Sequence, residues 1–231
     1  GMHSIFNRFV LEFQLKQQIK KQFEHYLEPK MVKKLQQNPD LLKLGGEVRD
    51  MTFFFMDIRG FTPLSEQYKS NPEGLTKVIN KFLTPMTDLI MKMDGTIDKY
   101  MGDCIMAFWN APIDCPDHAY KAVKTAVLIK KRLKELNQEN AFGHEIKIGI
   151  GINSGEALVG NMGSDQRFDY SVIGDAVNLA SRLEGTSKNY DTTIIIGEET
   201  VKRIDKPKWA FRLVDKVQVK GKSEKVSIYT V

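Results

Sequence analysis

The chain has 231 residues, of which 42% are hydrophobic and 27% charged, and its formal net charge is +5. These values are typical of an ordinary globular protein with one α/β domain and an N-terminal extension, and the mild basic excess does not identify a partner. No apolar run approaches 20 residues and no signal peptide is recognisable, so we expect neither a membrane span nor secretion. Cys104 and Cys115 form no CxxC pair, which argues against a disulfide framework or a zinc site and favours the cytoplasm.

The N-terminal segment predicts a helix from about Ser4 to Leu35. Its apolar residues follow a three-four spacing that resembles a weak coiled-coil seam, although an amphipathic helix packed on its own domain fits equally well. These residues are Phe6, Phe9, Phe13, Phe23 and Leu27. Asn38-Pro39 and Gly45-Gly46 then punctuate the chain, so we predict a helical linker segment over 1–44 and the main domain over 45–231.

The main domain mixes strands, hairpins and helices. The predicted strands cover 51–56, 96–101, 104–109, 146–159, 168–173 and 192–196, and a closing hairpin around Gly221 covers 211–231. The predicted helices cover 62–93 with a break at 71–72, the region 119–136, 175–189, and a short segment ending at Arg203. Thr62-Pro63 is expected to cap and begin the first of them. The order predicts an α+β fold, a ferredoxin-like βαββαβ core with a C-terminal elaboration, in which helices flank a central, mostly antiparallel sheet.

Two acidic residues stand at the ends of predicted strands. Asp57 follows the first apolar strand and precedes a helix N-terminus, whose free N–H groups suit phosphate oxygens. Asp103 lies at a hairpin tip, where Gly102 supplies the positive φ of a tight turn. If the hairpin lies beside the first strand, the two carboxylates meet and can hold a pair of divalent metal ions. The alternatives are that Asp57 only caps the helix and that Asp103 is an ordinary turn residue.

The predicted helix that begins near Asp175 carries a polar pair. Asn178 and Arg182 are four residues apart and therefore share one face. Such a pair near a helix N-terminus can bind an anion, because a guanidinium suits charge spread over phosphate oxygens. The alternative is a surface salt bridge of Arg182 with Asp175 or Glu184.

Three motifs together resemble the class III adenylate and guanylate cyclases. They are Phe55 to Thr62, Lys99-Tyr-Met-Gly-Asp-Cys104 and Gly174-Asp-Ala-Val-Asn-Leu-Ala-Ser-Arg182, in the family's order. The resemblance covers about Gly45 to the C-terminus. The segment just before the first strand, Leu44-Gly-Gly-Glu-Val-Arg49, is similar to bacterial members in which a helical transducer precedes the catalytic domain. It implies an adenylate cyclase that converts ATP to 3′,5′-cyclic AMP and pyrophosphate with two Mg²⁺ or Mn²⁺ ions per site, downstream of a sensor outside this chain.

The resemblance also implies a role for each residue that contacts metal or purine. Asp57 and Asp103 correspond to the two metal aspartates, and the Ile58 carbonyl to an additional ligand. Lys99 corresponds to the lysine that reads adenine. Ser171 stands where many members carry Asp, so the chain is similar to a subgroup with Thr or Ser at the second purine-reading position. A hydroxyl can donate to the base or accept from it, so this position leaves the choice of purine less strict.

Further roles implied by the resemblance concern the ribose and the phosphates. Asn178 corresponds to the asparagine that positions the ribose, and Arg182 to the arginine that stabilises the transition state. Phe61 and Thr62 are expected to bind the substrate. Either Lys220 or Lys222 corresponds to a lysine that contacts the terminal phosphates, and a solvated hairpin tip is the alternative for both.

In this family the metal aspartates come from one protomer, and the lysine, asparagine and arginine from the other. The chain carries both sets, so the resemblance implies a head-to-tail homodimer with two shared active sites. We expect no nucleic-acid partner. The competing functions are a guanylate cyclase, a catalytically silent nucleotide-binding module, a diguanylate cyclase and a scaffold that acts through its N-terminal helix. Val48-Arg49 follows Gly45-Gly46-Glu47 in place of the acidic pair that a diguanylate cyclase requires.

Overall fold

The structure, a computed structural model, describes residues 1–41, 46–164, 167–219 and 221–231. Its helices are α1 (Met2–Phe23), α2 (Pro29–Gln37), α3 (Phe61–Gln67), α4 (Pro72–Lys92), α5 (His118–Gln138), α6 (Asp175–Thr186) and α7 (Glu198–Lys202). Its strands are β1 (Glu47–Arg59), β2 (Thr96–Met101), β3 (Cys104–Trp109), β4 (Lys147–Ser164), β5 (Arg167–Ile173), β6 (Ile194–Gly197), β7 (Arg212–Val217) and β8 (Val226–Thr230). The predicted domain boundary between residues 44 and 45 lies outside the described residues.

The strands form an open sheet in the order β2-β3-β1-β4-β6-β8-β7, with β5 paired to β4. The pairs β1·β3, β1·β4 and β2·β3 are antiparallel, whereas β4·β6 is parallel. The first four strands, with α3 and α4 after β1 and α5 after β3, make the predicted βαββαβ core, and the remaining strands extend it. The predicted α+β class, with a mostly antiparallel sheet flanked by helices, is confirmed.

Strand β1 is apolar along most of its length because both faces of the sheet are covered. Phe54 and Met56 pack toward α4 and α5 in one buried cluster. Phe53 and Phe55 point to the opposite face, where they pack with Ala180 of α6 in a second cluster. Successive side chains of a strand alternate between faces, so this one segment anchors both layers of helices.

Helix α6 lies close against β4 because β4 carries glycine at the crossing point. A Cβ atom on Gly151 would lie 2.2 Å from the Glu184 nitrogen and 2.4 Å from the Ala180 oxygen. On Gly149, a Cβ would lie 3.3 Å from Glu184 Oε1. The absence of side chains at these positions therefore sets how near α6 approaches the sheet.

The prediction of one N-terminal helix from Ser4 to Leu35 is wrong, because the segment forms two helices. Pro29 disfavours helical geometry at the preceding residue and begins α2. Phe23 and Leu27 are buried beside α2, and the Phe23 ring packs edge-on against Tyr170 with centroids 5.5 Å apart. The second half of the predicted helix therefore packs on its own domain.

The first half of α1 keeps its apolar side chains exposed. They are Met2, Ile5, Phe6, Phe9, Leu11 and Phe13. The coiled-coil alternative for this half stays a prediction, because the structure contains a single chain.

The turn between α1 and α2 pairs with the edge of the sheet. The backbone N–H of Ile97 in β2 donates to the carbonyl of Tyr26 over 3.1 Å. Strand β2 is the outermost strand on this side of the sheet, so the N-terminal segment engages part of its unpaired edge.

The prediction that Thr62 caps the first helix and Pro63 begins it is also wrong. Helix α3 begins at Phe61, and Gly60 is its N-cap, with φ of +69°. A left-handed conformation is favourable for glycine, so Gly60 makes the turn out of β1 at low cost. The predicted break at 71–72 is confirmed, since α4 begins at Pro72.

Candidate active site

Asp57 and Asp103 are brought together by the β2–β3 hairpin. Met56, which precedes Asp57, pairs with Ile105, so the hairpin turn lies beside the end of β1. The backbone N–H of Ile58 donates to Asp103 Oδ2 over 2.9 Å. Gly102 has φ of +64° at the turn, as predicted for a two-residue hairpin loop. The two aspartates are thus held on adjoining strand ends.

A third carboxyl group, Glu184, reaches the same place from α6. Gly149 is paired with Asp57 across β1 and β4, and the Glu184 side chain lies over that glycine. The Glu184 carboxyl group therefore lies close enough to Asp57 for the two groups to interact. Burial and the neighbouring Asp57 charge raise the pKa of Glu184 well above its usual range. From the sequence, Glu184 was expected only as an alternative ion-pair partner of Arg182.

The carboxyl cluster fits a divalent metal ion. Burial raises the pKa of Asp103, and the neighbouring Asp57 charge raises it further. The hydrogen bond from the Ile58 N–H acts in the opposite direction and lowers this pKa. Such shifts mark a cluster that is short of positive charge. Within the described residues no set of three or more His, Cys, Asp or Glu side chains is arranged to hold a metal by itself. The arrangement suits Mg²⁺ or Mn²⁺ ions, whose remaining ligands are commonly phosphate oxygens and water.

Asn178 and Arg182 lie on an exposed face of α6. In the part of the chain that the structure describes, neither side chain has a hydrogen-bond or ion-pair partner, so the salt-bridge alternative for Arg182 is wrong. Residues two apart in a helix are separated by roughly 200° around its axis. Because Glu184 faces Asp57, Arg182 of the same chain points away from that carboxyl cluster.

Lys99 and Ser171 are brought together by a residue that the sequence analysis missed, Asp98. Ser171 Oγ donates to Asp98 Oδ2 over 2.7 Å, and Lys99 Nζ lies 3.8 Å from Asp98 Oδ1. Burial raises the pKa of Asp98, against the opposing effects of the Ser171 hydrogen bond and the Lys99 charge. The signal in the sequence was an acidic residue inside a predicted strand, directly before the lysine.

The remaining predicted residues lie in three different settings. Phe61 and Thr62 are the first two residues of α3, directly after its N-cap Gly60. Lys222 is exposed in the β7–β8 loop, where its backbone N–H donates to the Val219 carbonyl over 3.1 Å. Strands β4, β6 and β8 separate β7 from β1, a distance of roughly 15–20 Å at the usual strand spacing. Lys220 lies outside the described residues.

The two cysteines are free. Burial raises the pKa of the Cys104 thiol to about 12 and that of Cys115 to about 11, so both stay protonated at neutral pH. Among the helices of the described residues, none combines the length and apolar character needed to cross a bilayer.

A family model of the adenylate and guanylate cyclase catalytic domain matches residues 46–231. The chain is 41% identical over 192 residues to an adenylate cyclase of Anabaena cylindrica, covering 79% of this chain and 37% of that protein. It is 34% identical over 185 residues to adenylate cyclase 1 of Rhizobium meliloti, covering 79% of this chain and 27% of that protein. The chain thus spans well under half the length of these curated relatives.

Two solved cyclase structures are also similar to this chain over most of its length. The adenylyl cyclase CyaB from P. aeruginosa superposes with a TM-score of 0.71 at 40% identity, over 80% of this chain and 95% of that chain. The guanylyl cyclase Cya2 superposes with a TM-score of 0.70 at 37% identity, over 80% of this chain and 93% of that chain. With the carboxyl cluster at the end of β1 and the family match over 46–231, the chain belongs to the adenylate and guanylate cyclase catalytic domain family.

Proposed function

We propose that this chain is an adenylate cyclase domain, which converts ATP to 3′,5′-cyclic AMP and pyrophosphate in cyclic-nucleotide signalling. The observation that carries the proposal is the junction of Asp57 and Asp103, locked by the Ile58–Asp103 hydrogen bond. The adenylate cyclase relatives at 34–41% identity support this activity, and so does Lys99, because guanylate-specific members usually carry an acidic residue there.

The reaction is an intramolecular displacement. The ribose 3′-oxygen gives its proton to solvent and bonds to the α-phosphorus, while the bond from that phosphorus to the bridging oxygen breaks and pyrophosphate leaves with the electron pair. Asp57, Asp103 and the Ile58 carbonyl would hold two Mg²⁺ or Mn²⁺ ions. When bound, such ions lower the pKa of the 3′-hydroxyl and neutralise charge on the polyphosphate.

The polar residues of the chain orient the nucleotide. Asn178 positions the ribose, and Arg182 donates to the α-phosphoryl oxygens as negative charge builds on them. Lys99 and Ser171 contact the adenine edge. The N-terminus of α3 at Phe61 and Thr62 lies at the phosphates, and Lys220 or Lys222 contacts the terminal ones.

We also infer that the active form is a homodimer with two shared sites. Arg182 points away from the carboxyl cluster of its own chain and has no partner within the described residues. Lys222 lies across several strands from that cluster. These placements favour a site in which both residues serve the carboxyl cluster of a second copy. This geometry supports the shared-site arrangement that the family resemblance implies.

We propose a division of labour along the chain. Residues 45–231 form the catalytic domain, and residues 1–44 form a transducer segment that links it to a sensor outside this chain. We place the domain in the cytoplasm, where its nucleotide substrate is found.

Product analysis tests the proposed activity. The purified dimer is incubated with ATP or GTP, each with Mg²⁺ or Mn²⁺, and the products are separated by chromatography. We expect cyclic AMP to dominate, and Asp57→Ala to abolish it. Dominant cyclic GMP would identify a guanylate cyclase. No turnover of either nucleotide by a folded dimer would identify a silent nucleotide-binding module.

A further inference from the structure

Asp98 is a buried acidic residue with an unusual pattern of contacts. Its side chain is fully buried, and its Oδ2 atom accepts the Ser171 hydroxyl over 2.7 Å. Its Oδ1 atom is also buried but accepts no hydrogen bond from any described residue. The Lys99 ammonium lies 3.8 Å from that atom, which is too far for a hydrogen bond but close enough for attraction between the charges.

A β-bulge places Asp98 between the two purine-reading residues. The register of β2 against β3 shifts between Ile97 and Lys99, so Asp98 is the extra residue of the bulge. Bulges redirect side chains, and they are common beside active sites. Here the bulge lets Asp98 turn inward to β5, where Ser171 lies opposite Gly160 of β4, while Lys99 stays exposed on the same strand.

The hydrogen bond to Asp98 decides what Ser171 can offer a ligand. A serine hydroxyl carries one hydrogen and two acceptor lone pairs. Because that hydrogen points to Asp98, only acceptor capacity remains for a ligand. Lys99, by contrast, has only donors to offer. The pair therefore presents a donor at Lys99 and an acceptor at Ser171, and the contact with Asp98 is what makes Ser171 the acceptor.

We propose that Asp98 is a positioning residue that sets purine specificity, by holding the Ser171 proton so that Ser171 can only accept from the base. Adenine presents a 6-amino donor beside the N1 acceptor, which matches an acceptor at Ser171 and a donor at Lys99. Guanine presents a 6-oxo acceptor beside an N1–H donor, which is the reverse. The inference rests on the proposed function, and it removes the ambiguity of a hydroxyl at the second purine-reading position.

The Asp98→Asn variant reverses this arrangement while it preserves shape. The variant's amide oxygen is expected to face the Lys99 ammonium, which leaves its NH₂ group to donate to Ser171. The Ser171 proton is then free to point to the base and can donate to the 6-oxo group of guanine.

The test measures kcat/KM for ATP and for GTP in the dimer of this 231-residue chain. We expect Asp98→Asn to lower the ATP-to-GTP ratio about tenfold, mainly through KM, the size expected for one hydrogen bond that changes direction. Ser171→Ala should lower the ratio similarly, and the double variant should fall no further. Ser171→Thr keeps the hydroxyl and should keep the ratio. Asp169→Asn makes the same charge change at an exposed site on β5 and should also keep it.

An unchanged ratio in folded Asp98→Asn protein would overturn the inference, as would equal losses for both nucleotides, which indicate a structural role alone. If Asp98→Asn does not fold, the comparison of Ser171→Ala with Ser171→Thr carries the test, and equal ratios in these two variants overturn the inference. Equilibrium binding of ATP and GTP, measured by calorimetry, reports the same ratio even if the wild type forms no cyclic nucleotide. Failure of the proposed function and failure of this inference are therefore separate results.

Discussion

The backbone N–H of Ile58 donates to Asp103 Oδ2 over 2.9 Å, so the turn of one hairpin is fastened to the end of the central strand. One carboxylate oxygen thus has a structural bond, in addition to the metal-binding role that we propose for Asp103. The two roles can be separated by substitution, because an amide oxygen accepts the same hydrogen bond without carrying a charge.

Asp103→Asn should retain the fold and lose activity. The amide oxygen can keep the Ile58 hydrogen bond, whereas loss of the charge weakens metal binding, so we expect turnover to fall at least about 10²-fold. Asp103→Ala should lose both, and should be less stable than Asp103→Asn by about 1 kcal/mol. Urea unfolding and cyclic AMP assays over a range of Mg²⁺ concentrations measure the two effects. Equal stability of the two variants would show that the Ile58 bond does not hold the hairpin.

Mixing two inactive variants should restore activity if the sites are shared. Asp57→Ala removes one of the residues that we propose to hold metal, and Arg182→Ala should lower kcat by about 10²–10³-fold alone. A random mixture should recover up to about a quarter of wild-type activity, because half of the dimers are mixed and each keeps one intact site. A mixture of Asp57→Ala with Asp103→Ala is the control and should stay inactive. No recovery, despite confirmed subunit exchange, would contradict shared sites.

Gly151→Ala should displace α6 from the sheet. The added Cβ would lie 2.2 Å from the Glu184 nitrogen, a contact that only backbone movement can relieve. We expect a loss of about 1–3 kcal/mol in the free energy of unfolding, together with lower activity, since α6 carries Asn178 and Arg182. Gly185→Ala is the matched control in the same helix. A Cβ there meets nothing within 4 Å, so this variant should gain up to about 1 kcal/mol. Similar effects of both substitutions would contradict the packing argument.

Stability should fall in mild acid because of His118. His118 Nδ1 shares a hydrogen bond with Thr52 Oγ1 over 2.6 Å, and its Nε2 lies 3.2 Å from Asp50 Oδ2. Burial lowers the pKa of His118, with the Arg203 charge acting in the same direction. The unfolded imidazole therefore binds a proton near pH 6.5, where the folded one does not. The contribution of His118 to the free energy of unfolding is therefore fully present above that pH and is lost as the pH falls below it.

His118→Gln removes this titration and provides the measurement. Urea unfolding of both proteins at pH 5, 6, 7 and 8 should show a smaller decrease between pH 7 and 5 in the variant. The same slope in both proteins would show that His118 titrates alike in the folded and unfolded states.

Much of the geometry of the candidate site could be predicted from the sequence because its motifs are local. Asp57 and Asp103 stand at a strand end and a hairpin tip, positions that neighbouring residues determine. Asp98 and Glu184 could not be assigned, because their contacts join β2 to β5 and α6 to β1. The break in the N-terminal helix was missed because apolar spacing continues through the turn before Pro29.

The bond from Ile97 to Tyr26 affects how shortened versions of this protein will behave. A version that starts at residue 46, where the family match begins, would uncover part of the β2 edge and leave Tyr170 without its Phe23 neighbour. Free strand edges beside apolar surface favour intermolecular strand pairing. Low activity of such a version would therefore reflect self-association as readily as loss of the proposed transducer segment. Light scattering should accompany any truncation experiment.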